Sequence, residues 1–178
     1  KYKTSVMQLF NNGHTVQGNF EPGSVMEVAS KTYNLAQFHF HTPSEHTIDG
    51  KHTDLEVHFV HKDEAGNLAV LGIMIEPGRE NHQFSQILHE MPKRAGDKQA
   101  HSVEFNAADV LPHNQEFFTY RGSLTTPPCS EGVAWFVMRA PMEMSKTQIE
   151  LFKNVLHFNA RPTQPLHARA GADTHAFH

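Results

Sequence analysis

Two short stretches of the chain, QFHFH at 37–41 and LEVHFVH at 55–61, combine imidazoles with groups that can accept a ring N–H. Side chains of a β-strand alternate between faces, so residues two apart point the same way. On the first stretch Gln37, His39 and His41 share one face and Phe38 and Phe40 share the other. On the second, Glu56, His58 and Val60 share a face, and Val57, Phe59 and His61 lie opposite. A His-x-His pair projects two imidazoles side by side, a chelating arrangement that His58 completes as a third ligand. Gln37 and Glu56 sit two residues before histidines of this set. Acceptors so placed fix the tautomer of a metal-bound imidazole and raise its basicity. Three neutral imidazoles with no fourth protein ligand describe a zinc site of the catalytic kind, with an open position. His46 follows Pro43 outside the period-two pattern, and His61 falls on the other face from His58. Both are read as structural or surface groups.

These ligands need strands to hold them. Residues 24–30, 33–41, 54–61, 67–75, 117–121 and 133–139 are rich in β-branched and aromatic residues, and turn residues bound them. The Gly-containing turns are EPGS (21–24), IDGK (48–51), DEAGN (63–67) and EPGRE (76–80). Two helices are expected. In NHQFSQILHEMPKR (81–94), Phe84, Ile87, Leu88 and Met91 fall at helical spacing behind a cap at Asn81. In SKTQIELFKNVLHF (145–158), Ser145 and Gln148 fit a capping box, and Ile149, Phe152 and Leu156 form one face. The fold class is mainly β: a large twisted, mostly antiparallel central sheet with a few short peripheral helices. With no repeat and no linker, residues 1–178 read as a single domain.

Composition narrows the function. A net charge of −4 without a basic stripe argues against nucleic acid as a partner. No apolar run approaches the roughly 18–20 residues that span a bilayer, and no signal peptide opens the chain. The one cysteine, Cys129, excludes an internal disulfide and a Cys-rich zinc motif. Histidine is the outlier: 15 residues, as many as Lys and Arg together. That count favours metal or proton chemistry.

The ordered set QFHFHTPSEH, LEVHFVH, LAVLG and YRGSLTTPPCSEGVAWFV resembles the α-class carbonic anhydrases, especially the bacterial ones. The likeness runs from NNGH at 11–14 to RPTQPL at 161–166, and its motifs are long and specific. It implies zinc on His39, His41 and His58, with Gln37, Glu56 and the backbone carbonyl of Asn159 as the ring acceptors. It implies the family's activity, reversible hydration of carbon dioxide to bicarbonate and a proton by attack of zinc-bound hydroxide. Glu45 and Thr125 match the pair that orients that hydroxide: Glu45 takes the Thr125 hydroxyl proton, leaving the hydroxyl oxygen to act as acceptor. Without its neighbours, SEHT would read as an ordinary loop. Val60, Val70, Leu124, Val133 and Trp135, with Thr126, match the substrate pocket, an apolar wall suited to a molecule without strong hydrogen-bond handles. The backbone N–H of Thr125 would hold one oxygen of the forming bicarbonate. His14 matches the proton shuttle, since histidine titrates near neutral pH. Asn12 and Gln17 match the polar groups that organise the shuttle's water, although some relatives have Asn where Gln17 stands.

The resemblance also implies a longer N-terminal part than this sequence holds, with a cysteine that would pair with Cys129. It carries sulfonamide and anion inhibitors as ligands, allows a homodimer, and places the protein in the periplasm or outside the cell, where a disulfide persists. Two other functions compete with the enzyme. A non-catalytic zinc-binding or recognition module of the same family would lack a ligand, and none is missing. A metal-sequestering protein would bind several zinc ions per chain.

Overall fold

The period-two alternation of KTYNLAQFHFH builds the longest strand of the molecule, and its Phe face decides which way the strand turns. Phe38 and Phe40 are fully buried, as is Phe59 on the neighbouring strand. Burial of each such ring contributes roughly 1.5–3 kcal/mol. With that face committed to the core, the histidines must occupy the other.

The computed structural model describes residues 1–99 and 101–171. The strands are β1 (Ser5–Met7), β2 (Leu9–Asn11), β3 (Val16–Asn19), β4 (Val25–Val28), β5 (Lys31–His41), β6 (Leu55–Lys62), β7 (Leu68–Pro77), β8 (Val103–Phe105), β9 (Phe117–Ser123), β10 (Glu131–Met138), β11 (Met142–Met144) and β12 (Ala170–Gly171). Among the described residues, ten form one sheet in the order β12-β9-β10-β7-β6-β5-β3-β2, with β11 beside β7 and β4 beside β5. Its pairings are antiparallel except for β10 and β11, which run parallel to β7. β1 and β8 pair separately. The fold is therefore mainly β, with a mixed, mostly antiparallel sheet.

The six expected strands correspond to β4, β5, β6, β7, β9 and β10. The sequence gives no sign of β1–β3, β8, β11 and β12, each two to four residues long. Runs that short carry no readable alternation. They are held by pairing with neighbours and by burial, which propensity does not report.

Helix α1 (His82–Glu90) is capped by Asn81, whose side chain accepts from the Gln83 N–H. Helix α2 (Lys146–Leu156) opens on the expected capping box of Ser145 and Gln148. Both end sooner than the apolar spacing suggests. Met91 precedes a proline and is extended, and His157 takes a left-handed backbone (φ 53°) that stops α2. Both helices lean on the Phe face of the sheet. The Phe40 ring lies 4.3 Å from that of Phe152 and 5.5 Å from that of Phe84, centroid to centroid.

Of the two readings open for His61, structural or surface, the structure takes the first. It is wholly buried, and its Nε2 lies 2.8 Å from the Tyr2 hydroxyl. Burial depresses its pKa from 6.5 to about 3. The folded state therefore keeps His61 neutral where the unfolded chain would take up a proton. The stability this neutral ring allows is complete above about pH 6.5. It falls by about 1.4 kcal/mol per pH unit below that, down to the folded pKa. Denaturant unfolding of wild type and His61→Phe at pH 7.5 and 5.5 should show the variant with the shallower loss, by about one proton.

Candidate metal centre

A bulge between Leu35 and Gln37 sets the register of β5 on β6. Past it, Gln37 faces Val60, His39 faces His58, and His41 faces Glu56. Directly opposed and i, i+2 side chains thus converge on one patch. The ring centroids of His39 and His41 are 5.0 Å apart, those of His39 and His58 5.3 Å, and those of His41 and His58 4.6 Å. One ligand nitrogen from each lies within 4.8 Å of the other two.

Each imidazole already has one nitrogen engaged. His39 Nδ1 is 2.8 Å from Gln37 Oε1. His41 Nδ1 is 3.2 Å from the Asn159 carbonyl oxygen. His58 Nε2 is 2.9 Å from Glu56 Oε1. These acceptors select tautomers that leave Nε2 of His39, Nε2 of His41 and Nδ1 of His58 for a metal. His41 Nε2 is buried without any hydrogen-bond partner, a costly state that a cation would relieve. Burial and the neighbouring imidazoles hold the His39 pKa well below its usual value and bring that of His41 to about 4. Neutral imidazole is the ligating form. Three such nitrogens suit zinc.

Glu56 is the centre of the supporting network. Its Oε2 accepts from the backbone N–H of Glu45 and of His46, each at 2.9 Å. Its Oε1 accepts from His58 and, at 2.7 Å, from His46 Nδ1. Burial alone would raise this carboxyl, but the neighbouring His46 and His58 outweigh it and hold it well below the usual range. His46 therefore has a structural task, bracing Glu56, and its Nε2 lies 2.6 Å from the Tyr120 hydroxyl. His46, Glu56 and His58 also lie close enough to hold a metal. Both Glu56 oxygens are occupied by N–H donors, however, so the carboxylate is not available as a ligand. Spacing along the sequence gives no hint of this brace, because His46 meets Tyr120 across 74 residues.

Gly72 faces His58 across β6 and β7. A Cβ there would lie 2.7 Å from Glu56 Oε1, closer than real side chains approach. Gly72→Ala should displace the carboxylate from His58 and weaken zinc retention about 10-fold or more, the usual scale for losing such an acceptor. Competition with a chromophoric chelator reads the change.

The remaining predicted residues are placed as follows. Val60, Val70, Val133 and Trp135 form an apolar cluster separate from the main core, with Leu124 packed against it. The Trp135 ring lies 4.8 Å from that of His58 and 4.9 Å from that of His46, and its indole N–H donates to the Ser123 carbonyl. Thr126 is exposed in the turn after Leu124, its carbonyl accepting from the Cys129 N–H. Glu45 is buried. Its Oε1 accepts from the Arg161 N–H at 2.8 Å, and its Oε2 has no partner. Among the described residues no hydrogen bond joins the Thr125 hydroxyl to either Glu45 oxygen, so the bond implied by the resemblance is not made here. Arg161 Nη1 also reaches Ser123 Oγ at 3.3 Å, which ties the Thr125 loop to the segment carrying Glu45's donor. His14 is exposed. Its backbone N–H donates to Asn12 Oδ1, which also accepts from Thr15. Gln17 stands opposite His39 across β3 and β5 and donates to Asn19.

This geometry has close counterparts. Residues 1–170 match the family model of the eukaryotic-type carbonic anhydrases. A carbonic anhydrase of Nostoc sp. is 46% identical over 94% of this chain and 64% of its own length, and one of Neisseria gonorrhoeae is 43% identical over 94% and 67%. The chain thus spans about two thirds of the length of the curated relatives it matches. Among solved structures, the α-carbonic anhydrase of Photobacterium profundum superposes with a TM-score of 0.90 at 46% identity, covering 96% of this chain and 78% of its own. That of Thermovibrio ammonificans, solved with the inhibitor sulfanilamide, gives 0.89 at 44% identity, covering 93% and 74%. Matched by the family model over residues 1–170, the chain belongs to the α-class, eukaryotic-type carbonic anhydrases.

Proposed function

We propose that the protein catalyses the zinc-dependent, reversible hydration of carbon dioxide to bicarbonate and a proton. The observation that carries this reading is the convergence of three imidazoles, each with its other nitrogen fixed by an acceptor, beside a separate apolar cluster. Zinc held by His39, His41 and His58 would supply a Lewis acid that lowers the pKa of a coordinated water towards 7, the value the carbonic anhydrases themselves illustrate.

The chain's own groups do the rest. Val60, Val70, Leu124, Val133 and Trp135 offer carbon dioxide an apolar surface next to the metal. The Thr125 backbone N–H holds the oxygen on which charge develops. Glu45 draws the Thr125 hydroxyl proton, so that the hydroxyl oxygen accepts from the nucleophile and turns its lone pair to the substrate. Glu45 Oε2, buried and without a partner, is the acceptor this role requires. His14 passes the product proton to buffer through water organised near Asn12 and Gln17, and its exposure supports that exit. A periplasmic or secreted location and a homodimer belong to the same proposal and rest on the family resemblance. Among the described residues no helix is long and apolar enough to cross a membrane.

A sulfonamide titration of the zinc-loaded protein tests the reading. Hydration should fall to zero at one equivalent of inhibitor per chain. Hydration that persists at saturating sulfonamide would overturn it. Loss of a metal ligand would mark the recognition module, and none is lost here.

A further inference from the structure

The side chain of Asn159 makes three hydrogen bonds. Oδ1 accepts from the Thr42 N–H at 2.7 Å. Nδ2 donates to the Phe40 carbonyl and to the His14 carbonyl, both at 2.9 Å. The backbone adds two more: the Asn159 N–H donates to the Thr42 carbonyl, and its carbonyl accepts from His41. Only one orientation of the amide satisfies this set, because a lone N–H faces one end and two carbonyls face the other.

The result is a single residue gripping both sides of metal ligand His41, at Phe40 and Thr42, and also the backbone of His14. His14 is thereby fixed at both ends. Its N–H is held by Asn12 and its carbonyl by Asn159, while its ring is left exposed. Thr15 supplies a second tie, since its hydroxyl donates to the Phe40 carbonyl at 2.7 Å. We infer that the Asn159 side chain is a positioning residue for proton export, anchoring the backbone of His14 to the strand end that carries His41. This rests on the reading of His14 as the shuttle. A histidine working through ordered water depends on distance and angle, and an anchored backbone limits the ring to rotation about its own side-chain bonds.

Asn159→Asp separates the two arms. One carboxylate oxygen keeps the Thr42 bond, and the backbone carbonyl still faces His41. The other oxygen meets the His14 and Phe40 carbonyls, where it repels instead of donating. In the zinc-loaded protein, amide hydrogen exchange at His14 and Thr15 should quicken about 10-fold or more as the loop is released. Turnover at low buffer should fall about 3- to 10-fold, part of the 10²–10⁴-fold that a positioned acid–base group supplies. High imidazole should restore it, kcat/KM should hold, and zinc should stay at one per chain. In a His14→Ala background the substitution should cost no further low-buffer turnover.

Unchanged exchange at residues 14 and 15 would overturn the inference. So would a loss of kcat/KM and zinc in step with turnover, which would mean that Asn159 acts through His41 alone. If His14→Ala itself leaves low-buffer turnover intact while Asn159→Asp still frees the loop, the shuttle reading is what fails, and the functional half of the inference falls with it. Should the aspartate variant not fold, Asn159→Ala removes both arms without adding a charge, and exchange at His14 and Thr15 that stays at the wild-type rate there would equally overturn the inference.

Discussion

His58→Ala is expected to abolish zinc retention and carbon dioxide hydration together. Of the three candidate ligands, His58 is the one contributed by β6, and it lies directly opposite His39. Without it, His39 and His41 remain as a two-imidazole chelate on a single strand, too few ligands for the three-ligand open site that catalysis needs. The loss should exceed the roughly 10–100-fold typical of removing an outer acceptor. The substitution also deprives Glu56 of a donor and removes the ring that packs 4.8 Å from Trp135. Thermal unfolding measured alongside metal content separates the two consequences. A folded variant that keeps one zinc per chain would show that the ligand is elsewhere.

Glu56→Gln should cause the second largest loss, although it preserves shape. The carboxylate accepts four N–H groups, two on each oxygen. An amide has one oxygen and one NH2, so one pair of donors must face another donor. If the NH2 turns towards the rings, His58 can no longer donate from Nε2, and its tautomer is forced to change. If it turns towards the backbone, the Glu45 and His46 N–H groups are stranded in a buried site, at about 1–3 kcal/mol each. Either outcome loosens His58. Zinc affinity should fall about 10–100-fold, read as faster metal loss to a chelator. Affinity and hydration equal to wild type would contradict the role assigned to this carboxylate.

The legible part of the site is the part written at short range. Alternation in QFHFH and LEVHFVH separates the His face from the Phe face, and it places Gln37 and Glu56 beside the rings they serve. It also keeps His61 away from His58, as the structure has it, though not that His61 is buried against Tyr2. What alternation cannot supply is the register between strands. The bulge at Leu35/Gln37 decides that His39 meets His58, and a slip of one residue would turn every side chain to the wrong face. The brace of His46 on Glu56 and Tyr120, the clearance at Gly72 and the grip of Asn159 on His14 all join residues far apart in the chain. They depend on the assembled sheet and leave no local mark. The short strands escaped for a related reason: three residues suffice when a neighbour supplies the pairing.

We propose that one zinc ion on His39, His41 and His58 makes this chain a carbonic anhydrase. The most direct test is to strip the protein of metal, return zinc in steps and follow carbon dioxide hydration by stopped flow. Hydration should rise in proportion to added zinc and level off at one equivalent per chain. A plateau reached only after several equivalents would indicate metal sequestration, and a fully loaded protein without hydration would contradict the account.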